Sequence, residues 1–328
     1  MRAVLLHQFG PPENLQIGDV DPVAPRPGEV TVDAEAIGVQ FLETQVRSGK
    51  MGGVLGGAPF PVVLGKELAG TVGAVGSAEH AHLIGKRVLA STVSTGGYAE
   101  QAVVPADSVI EIPAGLDTEE ALALYRYGCT AAALIRAARL GEGDRVLVQA
   151  AAGAVGTLLV QLLKAAGVGT VIGTARGERK LALARELGAD LAVDYSAAGW
   201  EDQVRAGLGG GTVDVVFDHI GGPVSKAAFG LLTGGSGRFV TFGFSSGSPV
   251  EIGPMDLLGR GLTLTGFTAG QVWSRPDHAR ELVTEVLGLA VAGRVKAVIG
   301  QRFPLAEAAA AHAAVEARTT VGKTLLIP

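Results

Sequence analysis

The residues whose spacing most plainly suggests chemistry are Ala151 to Gly156, AAGAVG, which lie between the apolar run Val146 to Gln149 and a stretch of helical periodicity reaching Gly167. Strand, tight turn and helix in that order cradle a dinucleotide pyrophosphate when the turn reads G-x-G-x-x-G; here the second and third glycines are present and Ala151 stands at the first. Gly153 would let the backbone approach the anion, and Gly156 would let the helix pack closely on the strand. The segment Ala152, Gly153, Ala154, Val155 and Gly156 would then present the amides of a helix N-terminus to phosphate. An NAD-specific site places an acid about 20 residues beyond the turn, where it binds the ribose 2′-hydroxyl. This chain has Gly173-Thr174-Ala175-Arg176 there, with Lys180 one helical turn on, so positive charge suited to a 2′-phosphate replaces the acid and NADPH is expected over NADH. Elsewhere, Gln40 could donate a hydrogen bond to a carbonyl oxygen as charge develops on it. A loop amide holding neighbouring backbone is the other reading of Gln40.

Placing these groups requires a sheet. After the first strand come apolar runs at 168–175, 191–195, 213–218, 238–242 and 262–267, the first two separated by the amphipathic stretch 178–190. Strands alternating with helical segments predict a parallel, doubly wound Rossmann sheet with helices on both faces. Residues 1–122 differ in texture: short β-like runs at 2–6, 29–37, 68–75 and 87–91 are punctuated by APRPG and GGVLGGAPFP, which predicts an all-β, barrel-like unit. A helix over 119–139, broken at Gly128, leads into the first Rossmann strand. Beyond the sixth strand come a long helix opened by Ser274 and Pro276, an alanine-rich helix at 306–318 and a last strand at 322–328. The economical organisation is a first domain over 1–122, a Rossmann domain over 123–267 and a return to the first domain over 268–328.

The chain has 328 residues, 48% of them hydrophobic and 18% charged, which suits two packed domains and shows no signature of disorder. A net charge of −5 without basic runs argues against nucleic acid as a partner. No apolar run reaches about 18 residues without a charge, so no membrane span is expected. The opening MRAVLLHQFGPPE lacks the apolar core of a signal peptide, and Cys129 is the single cysteine, so a cytoplasmic protein is expected.

Taken together, GVQFLETQVRSG (38–49), PFPVVLGKELAGTV (59–72), GGYAEQAVVPA (96–106), GCTAAALI (128–135), VVFDHIGG (215–222), FVTFGFSSG (239–247) and VGKTLLIP (321–328) resemble the zinc-independent quinone oxidoreductases. These form the zeta-crystallin-like branch of the medium-chain dehydrogenase/reductases. The resemblance implies a GroES-like β-barrel catalytic domain into which the Rossmann domain is inserted, NADPH as hydride donor, a quinone as acceptor and a homodimer joined through the last Rossmann strands, here 262–267. It places Thr130 near the nicotinamide with a catalytic role beside Gln40, and Phe242, Gly243 and Phe244 in a loop passing under the ring. Lys180 and Tyr195 match cofactor-binding positions, and Lys323 is implied to fall near the cofactor or the domain cleft. Relatives carry Asn and Asp where this chain has Gln40 and Glu43, and a tyrosine where it has Met51. Glu43 reads as a structural partner of Lys or Arg, Glu67 as a buried structural carboxylate, and Tyr98 as a packing residue. Reduction of an activated C=C bond in a 2-alkenal, enone or enoyl thioester is the alternative chemistry, and a non-catalytic NADPH-binding protein the alternative of another class.

The zinc-dependent cousins have G-H-E where Gly65-Lys66-Glu67 stands here, and a lysine ammonium repels a divalent cation. With one cysteine and six scattered histidines, no metal site is expected. NADPH oxidation should therefore survive EDTA dialysis unchanged; activity lost to the chelator and restored by zinc would overturn this.

Overall fold

The computed structural model describes residues 1–92 and 95–328, which divide into two compact units. Unit 1 comprises Met1–Arg126 with Ala297–Pro328, and unit 2 is Tyr127–Lys296. The return to unit 1 thus begins at Ala297 rather than at residue 268. The reason is polar as well as apolar: Arg136 binds Glu281 and Glu285 at 3.0 and 2.6 Å, and Gln161 exchanges two hydrogen bonds with the Lys296 backbone. These contacts hold the segment before Ala297 to unit 2.

Unit 1 is all-β in its core. Its strands are β1 (Arg2–Leu6), β2 (Leu15–Asp19), β3 (Glu29–Val39), β4 (Val62–Val63), β5 (Glu67–Val75), β6 (Arg87–Ser91), β7 (Gln101–Pro105) and β8 (Ile110–Glu111). Two more, β15 (Ile299–Pro304) and β16 (Lys323–Ile327), arrive from the end of the chain. A seven-stranded sheet runs β15-β16-β3-β5-β6-β8 with β7 also on β3, and a three-stranded one runs β2-β1-β4. Helix α1 (Phe41–Arg47) follows β3 directly, and α10 (Ala308–Glu316) packs on it. The apolar core gathers Val30, Val32, Ile37, Leu64, Leu68, Val88 and Leu326.

Unit 2 carries six parallel strands: β9 (Arg145–Val148), β10 (Thr170–Ala175), β11 (Leu191–Asp194), β12 (Val215–Asp218), β13 (Arg238–Thr241) and β14 (Thr263–Gly266). Their order is β11-β10-β9-β12-β13-β14, that of a Rossmann sheet, so the expected fold class is the one observed. The central strands are unbroken apolar runs because helices cover both faces; Val146, Leu147, Val215, Val216 and Phe239 are fully buried. Among those helices are α3 (Ala154–Ala165), α4 (Glu178–Glu186), α6 (Gly222–Gly230) and α9 (Pro276–Val291). Helix α2 (Thr118–Ala138) is continuous through Gly128, where a break was expected. Gly128 serves packing: a Cβ on it would lie 2.8 Å from Val286 Cγ1 of α9.

The tightest helix-to-strand approach is at Gly156 in the first turn of α3. A Cβ there would collide with the Ala150 carbonyl and stand 2.8 Å from Ala151 Cα. Because backbone must yield, Gly156→Ala should cost about 1–3 kcal/mol. The thermal midpoint should fall by several degrees, and an unchanged midpoint would show that the turn gives way freely.

Candidate active site

In unit 2 the turn after β9 is built from small residues. Ala150 takes the left-handed conformation at φ 50°, a place where glycine would be easier, and Ala151 turns back so that its N–H donates to the Thr174 carbonyl at 2.9 Å. The Ala151 methyl fits because its neighbour is Gly173, whose Cβ, were it present, would be 3.0 Å away. Ala152 is buried, and Gly153 caps α3, with the Ala150 carbonyl at 3.2 Å the sole atom a Cβ on Gly153 would meet. The hydrogen-bond ladder of α3 begins with Thr157 N–H donating to the Gly153 carbonyl at 2.9 Å, so the amides of Ala154, Val155 and Gly156 precede it. Thr174, one residue before the end of β10, has a buried hydroxyl with no partner among the described residues. A cradle of bare amides with an orphan hydroxyl at its rim fits a dinucleotide phosphate.

Beyond Thr174, Arg176 is exposed and Lys180 stands half-buried in the first turn of α4. Glu178, the acid between them, is taken by Arg185 at 2.6 Å. Asp194 ends β11 and is engaged as well, accepting from Gly177 N–H at 2.9 Å and from the Ser196 amide and hydroxyl at 2.8 and 2.6 Å. Burial opposes its ionisation, but those bonds and the Arg176 charge hold its carboxyl below the usual range. Tyr195, next to it, is half-buried. At the switch point, where the strand order reverses between β9 and β12, the Ser225 hydroxyl bridges Asp218 and Gln149. Burial pushes Asp218 up against its bonds from Ser225 and the Ile220 amide. Phe242 stacks on His219 with centroids 5.1 Å apart, Gly243 follows, and Phe244 is exposed. Thr130 is buried on α2. Sequence reasoning missed the Gln149–Ser225–Asp218 cluster, which its residue types alone do not announce.

In unit 1 Gln40 precedes α1 and is 8% exposed; its Nε2 is a buried donor with no acceptor among the described residues. Its backbone N–H donates to Glu43 Oε2 at 2.8 Å, and Glu43 Oε1 accepts the Lys66 N–H at 2.9 Å. The Tyr98 hydroxyl donates to Glu43 Oε2 at 2.6 Å and lies 2.9 Å from His312 Nε2, all three side chains buried. Glu43 therefore pairs with a phenol and two amides, not with Lys or Arg, and Tyr98 is the centre of a polar chain rather than a packing residue. His312 escaped notice because it sits alone in the alanine-rich α10; a lone histidine on the buried face of such a helix is the signal that was available. Lys323, 2% exposed, forms a buried ion pair with Glu67. Gly38 makes room for it, since a Cβ there would collide with Glu67 Oε1 and stand 2.6 Å from Lys323 Nζ.

Comparison with known proteins follows both units. The alcohol dehydrogenase GroES-like domain matches residues 26–114 and the zinc-binding dehydrogenase family residues 154–287. Despite that second description, no group of three or more His, Cys, Asp or Glu able to hold a metal ion exists among the described residues. A quinone oxidoreductase of Pseudomonas aeruginosa is 37% identical over 98% of this chain and 97% of its own. A 2-haloacrylate reductase of a Burkholderia species is 34% identical over 99% and 98%. The crystal structure of Escherichia coli quinone oxidoreductase complexed with NADPH superposes with a TM-score of 0.90 at 30% identity, covering all of both chains.

Burial raises Glu43 to about 7, against the lowering pull of Tyr98 and the Gln40 amide, and lowers His312 to about 3 with help from the Arg47 charge. The two act in opposite directions. Glu43 stabilises the fold fully below its unfolded value of 4.5 and loses that contribution as pH rises through 7, whereas His312 contributes fully above 6.5 and loses it as pH falls toward 3. Glu43→Gln mimics the neutral acid, so its stability relative to the parent should improve between about pH 5 and pH 8 by up to about 3 kcal/mol. A thermal-midpoint difference that stays constant over that range would refute the assignment.

Proposed function

Since the chain belongs to the quinone oxidoreductases of the medium-chain dehydrogenase/reductase superfamily, we propose that it is an NADPH-dependent reductase that delivers hydride to a quinone. The observation that supports the acceptor class is the buried Nε2 of Gln40, which has no partner among the described residues. A carbonyl oxygen would satisfy that donor, and the hydrogen bond strengthens as hydride transfer places negative charge on the oxygen. NADPH, when bound, supplies the hydride from its dihydronicotinamide ring. The residues that would hold it on this reading are the Ala152–Gly156 segment at the pyrophosphate, Thr174, Arg176, Lys180 and Tyr195 at the adenosine phosphate end, and Thr130 with Phe242–Phe244 toward the nicotinamide. Lys323, whose ammonium faces Glu67, would act on the cofactor through the wall it stabilises. One proton from water completes the hydroquinol, so a quinone needs no carbon-directed acid.

The second reading, reduction of a C=C bond conjugated to a carbonyl, is favoured by the Burkholderia relative, whose name specifies a 2-haloacrylate. NADPH oxidation with 1,4-benzoquinone, 9,10-phenanthrenequinone, 2-hexenal and crotonyl-CoA separates the readings. Quinone turnover is expected; turnover of the alkenal or thioester alone would replace the first reading by the second, and NADPH binding without any turnover would leave a binding protein.

NADPH should be preferred to NADH because no free acid stands at the end of β10. Each charge-assisted bond to the 2′-phosphate is worth roughly 1.5–3 kcal/mol. Arg176→Ala/Lys180→Ala should then weaken NADPH by about a hundredfold or more while leaving the Kd for NADH nearly unchanged; an equal loss for both cofactors would show that these residues do not read the phosphate.

A homodimer through β14 is part of the same proposal. Thr263 and Phe267 direct their N–H groups to β13, so by strand alternation Leu264 and Gly266 direct theirs to the free edge. Met255 and Leu258, 75% and 74% exposed, stand just before that strand. Leu264→Pro removes an outward donor without touching the β13 ladder, and sedimentation should show a monomer. A folded variant that remains dimeric would count against this interface.

A further inference from the structure

Two buried side-chain atoms of opposite kind in unit 1 have no hydrogen-bond partner among the described residues: the donor Gln40 Nε2 and the acceptor Glu67 Oε2. Strand register brings them to one place. Counting on from Ile37 opposite Leu68 sets Gly38 opposite Glu67, and counting on from Val39 opposite Thr324 sets Gln40 opposite Lys323. Gln40 keeps extended backbone, φ −110° and ψ 148°, so its side chain leaves on the same face as the Cβ position of Gly38, roughly 7 Å along the strand. That Cβ position lies 2.7 Å from the Glu67 carboxyl carbon and 2.6 Å from Lys323 Nζ, and Gln40 faces Lys323 at the spacing of a directly opposed pair, about 5 Å between Cβ atoms. The amide and the carboxylate therefore border one buried space. Lys323 takes Oε1 of Glu67, and Glu43 is no alternative acceptor for the amide, since its oxygens already accept the Gln40 and Lys66 backbone N–H groups and the Tyr98 hydroxyl. A donor and a charged acceptor left unpaired away from water are costly, and one group that both accepts and donates would satisfy the two together.

We propose that Gln40 Nε2 and Glu67 Oε2 form a paired niche for a hydride acceptor that carries a hydroxyl beside its carbonyl: Gln40 donates to the carbonyl oxygen, and the hydroxyl donates to Glu67 Oε2. This rests on the hydride-acceptor reading above and names a substrate class within it. The Lys323 ammonium, by occupying Oε1, holds the carboxylate so that Oε2 is the oxygen offered. An acceptor without the hydroxyl leaves that oxygen unpaired, so Glu67 sets substrate preference.

The test compares 2-methyl-1,4-naphthoquinone with 2-(hydroxymethyl)-1,4-naphthoquinone, which differ by one uncharged hydroxyl next to a carbonyl. In the unmodified, NADP+-loaded protein, calorimetry should show the hydroxymethyl compound binding about tenfold more tightly. Because the two differ in intrinsic reactivity, the informative kinetic quantity is the ratio of variant to parent for each. Glu67→Gln should lower kcat/KM for the hydroxymethyl compound about tenfold or more beyond any change for the methyl one. Since Glu67→Gln leaves Lys323 without its counter-ion, Glu67→Gln/Lys323→Met is measured beside it and should show the same selective loss. Equal binding of the two quinones to the unmodified protein, or equal losses in the folded variants, overturns the niche and leaves a bound water as its occupant. Preferential, Glu67-dependent binding of the hydroxymethyl compound with no turnover of either quinone would support the niche and overturn the quinone reading alone.

Discussion

Glu67 and Lys323 are opposite charges closed off from water inside the sheet of unit 1, and the surrounding architecture follows from keeping them together. Either one alone would be an uncompensated buried charge, a loss on the order of 3–5 kcal/mol, so β5 and β16 must stand where the two can meet. Strand β3 lies between them, and it can do so because Gly38 contributes no side chain at the crossing. The pair also bears on Glu43, where Glu67 and Lys323 act in opposite senses behind the larger effects of burial and of the Tyr98 and Gln40 hydrogen bonds. From Glu43 the influence passes to Tyr98 and His312 on one side and to the Gln40 and Lys66 backbone on the other. These buried polar groups of unit 1 form one connected object, not a set of independent residues.

Unit 2 obeys a constraint of volume instead of charge. Its turn must bring helix amides to the end of a parallel strand, and an atom added there meets backbone or a neighbouring methyl. Gly156 answers this directly. At Ala151 the answer is indirect, because the methyl is accommodated by the absence of one on Gly173 in the next strand. A pattern read along the chain registers an imperfect match at that place; read across the sheet, the two positions together supply the space that a single glycine would.

Much of this could be read from residue order. The alternation of apolar runs and helical stretches specified a parallel sheet, and Arg176 after β10 specified the kind of anion expected there. What stayed hidden was set by pairs far apart in sequence. Nothing near Lys323 indicates that its partner is Glu67, and nothing near His312 indicates Tyr98. Gly128 misled for a related reason: local propensity reads glycine as a helix break, while the structure uses it for contact with Val286 of a helix far along the chain. The end of unit 2 was likewise misplaced, since salt links from Arg136 to Glu281 and Glu285 carry no local mark.

The sheet of unit 1 seats β16 between β15 and β3, yet β16 follows the whole of unit 2 in the chain. On a ribosome, β3 and β5 emerge first and must wait with one flank unpaired while the parallel sheet is being made. During that interval Glu67 has no counter-ion and stays hydrated, so the interior around it cannot close. The parallel unit is thus free to finish early, and the residues that would wall in a substrate are assembled only when the final strand docks.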